Sequence, residues 1–330
     1  MKIIISGGRQ SKSSLSYFNK EWSNGVSGII FEYDTNSKKI EEKFTYETPE
    51  RYRAEKDYSI SFKSGSIFNN KLYVTTLTEI LIISLPNYKL IDKISLNLFN
   101  DLHHVVYDSN FLYVVVTGLD LVLQYDLIKK KVSNHYNCFR DIDTWDRFDK
   151  HKDYRKLNTT KPHFSHPNHV TVHNNKVYIT RYKQEDVLIY EKNGKYLGNI
   201  KLDNGIPHDG SIFGREFIYT TVTGKILKVD IEKEKINKII DLNKFAEDDS
   251  SLGWCRGYTT AENLNYVGFS RIRPTKFIEN IKWLGSKITD KYKLKMPTRV
   301  EIYDSEFSKI IDTIELERVG LNWVFSVLKY

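Results

Sequence analysis

The chain has 330 residues, with 50 Lys and Arg against 42 Asp and Glu, a formal net charge of +8. Charged residues at 28% beside 13% aromatics exclude a disordered chain, and the only two cysteines, Cys138 and Cys255, exclude a disulfide scaffold or a four-thiolate zinc site. No apolar run is long enough for a membrane span, no compact basic block marks a nucleic-acid surface, and Met1–Gly7 is too short for a signal-peptide core, so the expectation is a cytoplasmic protein without nucleic-acid partners.

Only three alanines occur (Ala54, Ala246, Ala261) against 22 Tyr and 17 Phe, a balance that favours strands over helices. In chain order, three strands come first, at Lys2–Ser6, Gly28–Tyr33 and Glu42–Tyr46. Five units of four short strands follow, starting near Ser64, His104, His169, Gly210 and Gly257. The starts are separated by 40, 65, 41 and 47 residues, the spacing of four-stranded propeller blades, and the long step carries an insertion over 138–165. A second insertion covers 272–297. The last strand, Trp323–Leu328, has no blade of its own, and the first three lack an inner strand. Joining them predicts an all-β, six-bladed β-propeller over residues 1–330, closed by a C-terminal strand that completes the N-terminal blade.

The stretch Phe164-Ser165-His166-Pro167-Asn168-His169-Val170-Thr171-Val172-His173-Asn174-Asn175-Lys176-Val177-Tyr178-Ile179 resembles the repeat of NHL-type six-bladed propellers. That class includes gluconolactonase-like and virginiamycin-lyase-like enzymes, and the resemblance implies the same architecture. Arg256-Gly257, followed by Gly268-Phe269-Ser270-Arg271-Ile272-Arg273, is similar to an uncharacterised bacterial propeller family with R-G and G-x-S-R-x-R motifs. This second resemblance supports the fold and the choice of residues without implying an activity.

In a propeller, the loops entering each inner strand share one face with the loops between second and third strands. Sorted by this rule, Ser64, His103, His104, Asn168, His169, His208, Asp209, Cys255 and Arg256 fall at inner-strand starts. Arg9, Asp120, Arg181, Arg271 and Arg273 fall at the other turns, so the unusual residues gather at one mouth.

His104 and His169 each precede a matching tyrosine (Tyr113, Tyr178) by nine residues, and His208 sits two residues earlier in its own repeat, nearer the loop. Three imidazoles there suit a divalent metal ion, with His208, Asp209 and His104 as proton-moving groups; they also suit a structural role along a hydrated channel. His163, His166, His135 and His173 are expected to belong to loops or strands. Arg256, Arg271, Arg181, Arg273 and Arg9 are candidate clamps for an anionic substrate, with Asn168 beside them and Trp145 in a lid; local acids such as Asp186 are the competing partners for Arg181. Residues 277–284 have the apolar spacing of a short amphipathic helix.

Two functions follow. One is a metal-assisted lyase or hydrolase acting on an anionic, carbohydrate-derived small molecule. The other is a propeller that binds a glycan or protein segment without chemistry, since this fold hosts both.

Overall fold

The computed structural model describes residues 1–11, 25–202, 205–246, 251–271 and 296–330. Arg273 and the expected helix at 277–284 lie outside the described residues. Within them, 24 strands form six four-stranded sheets around one axis. The first blade is β1 (Lys2–Gln10), β2 (Gly25–Asp34) and β3 (Lys39–Tyr46), with β24 (Trp323–Lys329) as its innermost strand. The second runs β4 (Gly65–Phe68), β5 (Lys71–Thr75), β6 (Ile80–Ser84) and β7 (Lys89–Ile94). The third runs β8 (Leu102–Asp108), β9 (Phe111–Val116), β10 (Leu121–Asp126) and β11 (Lys131–Asn137). The fourth runs β12 (Pro167–His173), β13 (Lys176–Arg181), β14 (Asp186–Glu191) and β15 (Tyr196–Lys201). The fifth runs β16 (Ser211–Phe213), β17 (Glu216–Thr220), β18 (Lys225–Asp230) and β19 (Lys235–Asp241). The sixth runs β20 (Trp254–Ala261), β21 (Leu264–Ser270), β22 (Arg299–Tyr303) and β23 (Ile310–Glu315). The six-bladed ring expected from the repeats is thus observed.

Two-residue hairpins join the first and second strands of most blades. Asn69-Asn70, Ser109-Asn110, Asn174-Asn175 and Glu262-Asn263 all have positive φ at both positions, the geometry that matches strand twist and that Asn tolerates best. Along the strands, side chains alternate between the two faces of a blade. Leu112, Val114 and Val116 of β9 pack towards the second blade, whereas Tyr113 and Val115 pack towards the fourth. Repeated around the ring, this alternation yields six apolar clusters, one at each junction between neighbouring blades.

β24 closes the ring by pairing antiparallel with β1, bringing Ile3 opposite Lys329 and Ser6 opposite Ser326. Its Val324 and Val327 join the cluster between the first and sixth blades. The 138–165 insertion carries a four-residue helix, α1 (Thr144–Arg147), capped by the Asp143 carboxylate. Asn100 holds the insertion down by donating its amide to the Tyr154 and Leu157 carbonyls at 2.8 and 2.9 Å.

Ending the chain at Asn322 removes the buried Val324, Phe325 and Val327, each contributing about 1.5–3 kcal/mol, and leaves β1 as an open edge. The expected result is loss of the cooperative thermal transition in circular dichroism, with no folded remnant of five blades.

Candidate functional site

Closure of the ring turns register into proximity. His104, His169 and Asp209 each stand four residues before the end of their inner strand, at Asp108, His173 and Phe213. Ser64 and Gly257 hold the same offset from Phe68 and Ala261. These five residues and Ser326 form one row around the axis. One residue nearer the mouth stands a second row of Lys63, His103, Asn168, His208 and Arg256, with Phe325 in the sixth place. Every member of this upper row is more than nine-tenths buried.

The upper row holds two cations against one aromatic ring. The Lys63 ammonium lies 4.2 Å and the Arg256 guanidinium 4.7 Å from the centre of Phe325, and Arg256 also lies 5.0 Å from the Trp254 ring. Lys63 sits 3.7 Å from the Asp101 carboxylate. Arg256 makes no ion pair with a carboxylate among the described residues, and its Nε has no hydrogen-bond partner. Burial lowers its pKa to about 10. The Asn168 Oδ1 is also buried without a partner.

Four imidazoles complete the mouth. His103 of the third blade lies near His208 of the fifth, with tilted rings whose centres are 6.1 Å apart, and meets His166 edge-on at 5.2 Å. His166 and His163 join through their Nδ1 atoms at 2.8 Å. Both belong to the end of the insertion, whose backbone is fixed by the fully buried Asp120. One oxygen of that carboxylate accepts from the Phe164 N–H at 2.6 Å and from Arg147 at 2.9 Å. The other accepts from the Ser165 and His166 N–H groups at 3.0 and 2.8 Å and from the Ser165 hydroxyl at 2.9 Å. Burial alone would raise the Asp120 pKa; these donors outweigh it and hold the group low.

Neighbouring groups fix the tautomers of His103 and His208. Thr117 donates its hydroxyl proton to the Pro167 carbonyl at 2.5 Å, so it accepts from His103 Nδ1 at 2.8 Å. The Asp101 carbonyl, 2.9 Å from the same Nδ1, can only accept as well. His103 is therefore protonated at Nδ1 and bare at Nε2. His208 donates from Nδ1 to Asp209 Oδ1 at 2.8 Å, which also leaves its Nε2 bare. The other Asp209 oxygen accepts from Thr220 at 2.8 Å and from the Gly257 N–H. Gly257 has φ +79, and a Cβ there would come within 2.8 Å of the Val327 nitrogen, so glycine alone delivers that N–H.

Burial, reinforced by Arg256, lowers the His208 pKa; burial opposed by Asp101 still brings His103 to about 3. Burial works against the Asp209 carboxylate, but His208, His169 and the Gly257 N–H prevail and hold it below the ordinary carboxylate range. The result is a carboxylate backing a neutral imidazole.

The expected residues divide clearly. His208, Asp209, Arg256 and Asn168 meet at the mouth. His104 and His169 stack with ring centres 3.7 Å apart in the lower row, at equivalent register as the sequence implied. Arg181 forms a two-point pair with Asp186 at 2.8 and 2.7 Å, so the local acid is its partner. Arg9 pairs with Glu42 at 2.7 Å and Arg271 with Glu317 at 3.1 Å. Trp145 donates to His135 at 2.9 Å and packs with the junction of the second and third blades. Cys255 is fully buried, and burial raises its thiol pKa well above the ordinary value. Lys63 was missed, while His103 was placed at the mouth and His166 in a loop without a role at the site. The signal for Lys63 was available, since it precedes Ser64 as His103 precedes His104.

The expected ligand set His104, His169 and His208 does not fit a metal ion in this arrangement. His104 Nδ1 accepts from the Val170 N–H at 3.4 Å and its Nε2 donates to the Gly65 carbonyl at 3.2 Å, so both ring nitrogens are engaged. His208 stands in the other row. Among the described residues, no group of three or more His, Cys, Asp or Glu is arranged to hold a metal. Below the lower row, a channel of about 330 Å³ runs between the inner strands, bounded at one end by His104, His169 and Asp209.

No known family model matches the chain, and no curated protein matches it. Among solved structures it is similar to a protein of unknown function from Bacteroides caccae, with 11% identity, a TM-score of 0.60, and 99% of this chain and 97% of that one covered. It is also similar to hydrazine synthase of Kuenenia stuttgartiensis, with 12% identity, a TM-score of 0.47, and 73% and 62% covered. The first likeness, at 11% identity, is one of fold, and it does not single out the NHL, gluconolactonase or virginiamycin-lyase type. No helix among the described residues is long and apolar enough to cross a membrane.

Two outcomes follow from these environments. Replacing Asp120 by Ala strands Arg147, the buried Ser165 N–H and the part-buried Phe164 and His166 N–H groups, so urea unfolding is expected to register a loss of about 3–5 kcal/mol. The histidines give the pH dependence. His103 and His169 have folded pKa values of about 3 and 4, below the unfolded value near 6.5. Above about pH 6.5 both states are neutral and stability is full. Below it the unfolded chain binds protons that the folded one refuses, so stability falls on acidification. Each such imidazole contributes up to about 1.4 kcal/mol per pH unit, and His103→Gln is expected to flatten the slope measured between pH 7.5 and 5.

Proposed function

We propose that the axial mouth is the active site of a lyase or hydrolase that moves a proton on a small anionic substrate. The supporting observation is the Asp209–His208 pair, with a bare Nε2, beside a buried guanidinium that has no ion-pair partner. An imidazole held in one tautomer by a carboxylate is a competent general base, and its lowered pKa keeps it unprotonated at neutral pH. Arg256 presents a fixed positive charge in a water-poor site, where a carboxylate, sulfate or phosphate oxygen is the matching group. Asn168 adds a buried amide oxygen that accepts from a hydroxyl. An anionic sugar derivative supplies both features, in keeping with the lactonase-like and lyase-like propellers that the repeat resembles. The proton removed by His208 comes from water in a hydrolysis, or from the carbon next to a carboxylate in an elimination. No step is assigned to a metal, because the imidazoles of the expected set do not converge.

A non-catalytic binder is the second reading, favoured by the same unpartnered Arg256 and Asn168, which serve recognition equally well. A panel of sugar acids, their lactones and phosphorylated sugars separates the two. For an enzyme, His208→Ala is expected to lower turnover by about 10²–10⁴-fold while thermal-shift binding persists. Arg256→Gln is expected to abolish binding. Ligands that shift the melting point without any turnover by the wild-type protein favour the binder.

A further inference from the structure

The proposal above leaves His103 unused, although its ring centre lies 6.1 Å from that of His208 and it is built in the same way. Each imidazole is protonated at Nδ1 and bare at Nε2, and each has a carboxylate behind it: Asp209 at 2.8 Å for His208, Asp101 at 3.7 Å for His103. Such rings are prepared to carry a positive charge, because a second proton at Nε2 leaves the Nδ1 hydrogen bond intact. Two nearby fixed cations oppose that charge, Lys63 and Arg256. His166 and His163 on the insertion, with Lys161 and Lys183 behind them, bear on the same cluster. Lys63 and Arg256 are balanced in number by Asp101 and Asp209, so the mouth has no charge to spare for an imidazolium until an anion arrives.

We infer that the mouth is a proton-linked oxyanion site: an oxyanion docking on Arg256 draws one proton onto the pair His103 and His208. This rests on the anion-binding part of the proposed function and adds the linkage. Burial is the main cause of the pair's neutrality; the incoming charge offsets the cations that reinforce it, and mutual repulsion across 6.1 Å between ring centres limits the pair to a single proton. One ring then holds an acidic N–H and the other a basic nitrogen. The occupied site thereby contains both a proton donor and a proton acceptor.

Sulfate is a suitable probe, because it keeps its charge throughout the relevant pH range. Isothermal titration of the full chain with sodium sulfate, in two buffers of different ionisation enthalpy, counts the protons taken up. The expected result is uptake approaching one proton per sulfate at pH 6, with affinity tightening by up to tenfold per pH unit between pH 7.5 and 5.5. Arg256→Gln is expected to abolish binding at every pH, and the double variant His103→Gln/His208→Gln to bind without uptake. Single variants of either histidine retain part of the uptake, since the proton belongs to the pair. Sulfate binding that depends on Arg256 but takes up no proton overturns the linkage and spares the anion site. Full uptake in the double variant assigns the proton elsewhere and also overturns it. Absence of Arg256-dependent binding at any pH removes both.

Discussion

Everything at the mouth depends on six inner strands having to share one axis. Four-stranded sheets with two apolar faces find partners only by stacking in a circle, and the circle closes only when β24 supplies the missing strand of the first blade. Once it is closed, residues with the same offset in each inner strand become neighbours, whatever their distance along the chain. Lys63 and Phe325 meet in this way, as do His103 and His208 from non-adjacent blades. The site is therefore a consequence of register, and each of its positions is held by a separate apolar junction behind it.

The chemistry of the mouth is set by how little water reaches it. Asp101 and Asp209 stay ionised in surroundings where charge is costly, while burial keeps the four imidazoles neutral against the pull of those carboxylates. Carboxylates stay ionised because donors surround them, as Thr220 and the Gly257 N–H do for Asp209. Arg256 differs in having aromatic rings for company and an unpartnered Nε. A buried guanidinium left in this condition is the principal reason for reading the mouth as a receptor for an anion.

The blades were legible because their signals are local. Paired residues with positive φ mark the hairpins, alternating apolar residues mark the strands, and the orphan strand at each end of the chain marks the closure. The equivalence of His104 and His169 was legible for the same reason. Counting back from tyrosines failed in the fifth blade, because Tyr219 stands three residues after the first residue of its strand pairing (Glu216), whereas Tyr113 and Tyr178 stand two after Phe111 and Lys176. Counting from the hairpin instead puts Asp209, not Gly210, level with the two stacked histidines, with His208 one residue nearer the loop rather than two. That Asp186, Glu42 and Glu317 pair with Arg181, Arg9 and Arg271 was not legible, except for the local acids after Arg181, because such pairing depends on the fold. His163 and His166 reached the mouth through Asp120, a contact spanning more than forty residues that no local pattern announces.

The stacked imidazoles of His104 and His169, with Asp209 beside them, end the axial channel on its mouth side. A substitution that trims either ring, such as His169→Ala, would therefore widen the channel at the level where it borders the Asp209 carboxylate.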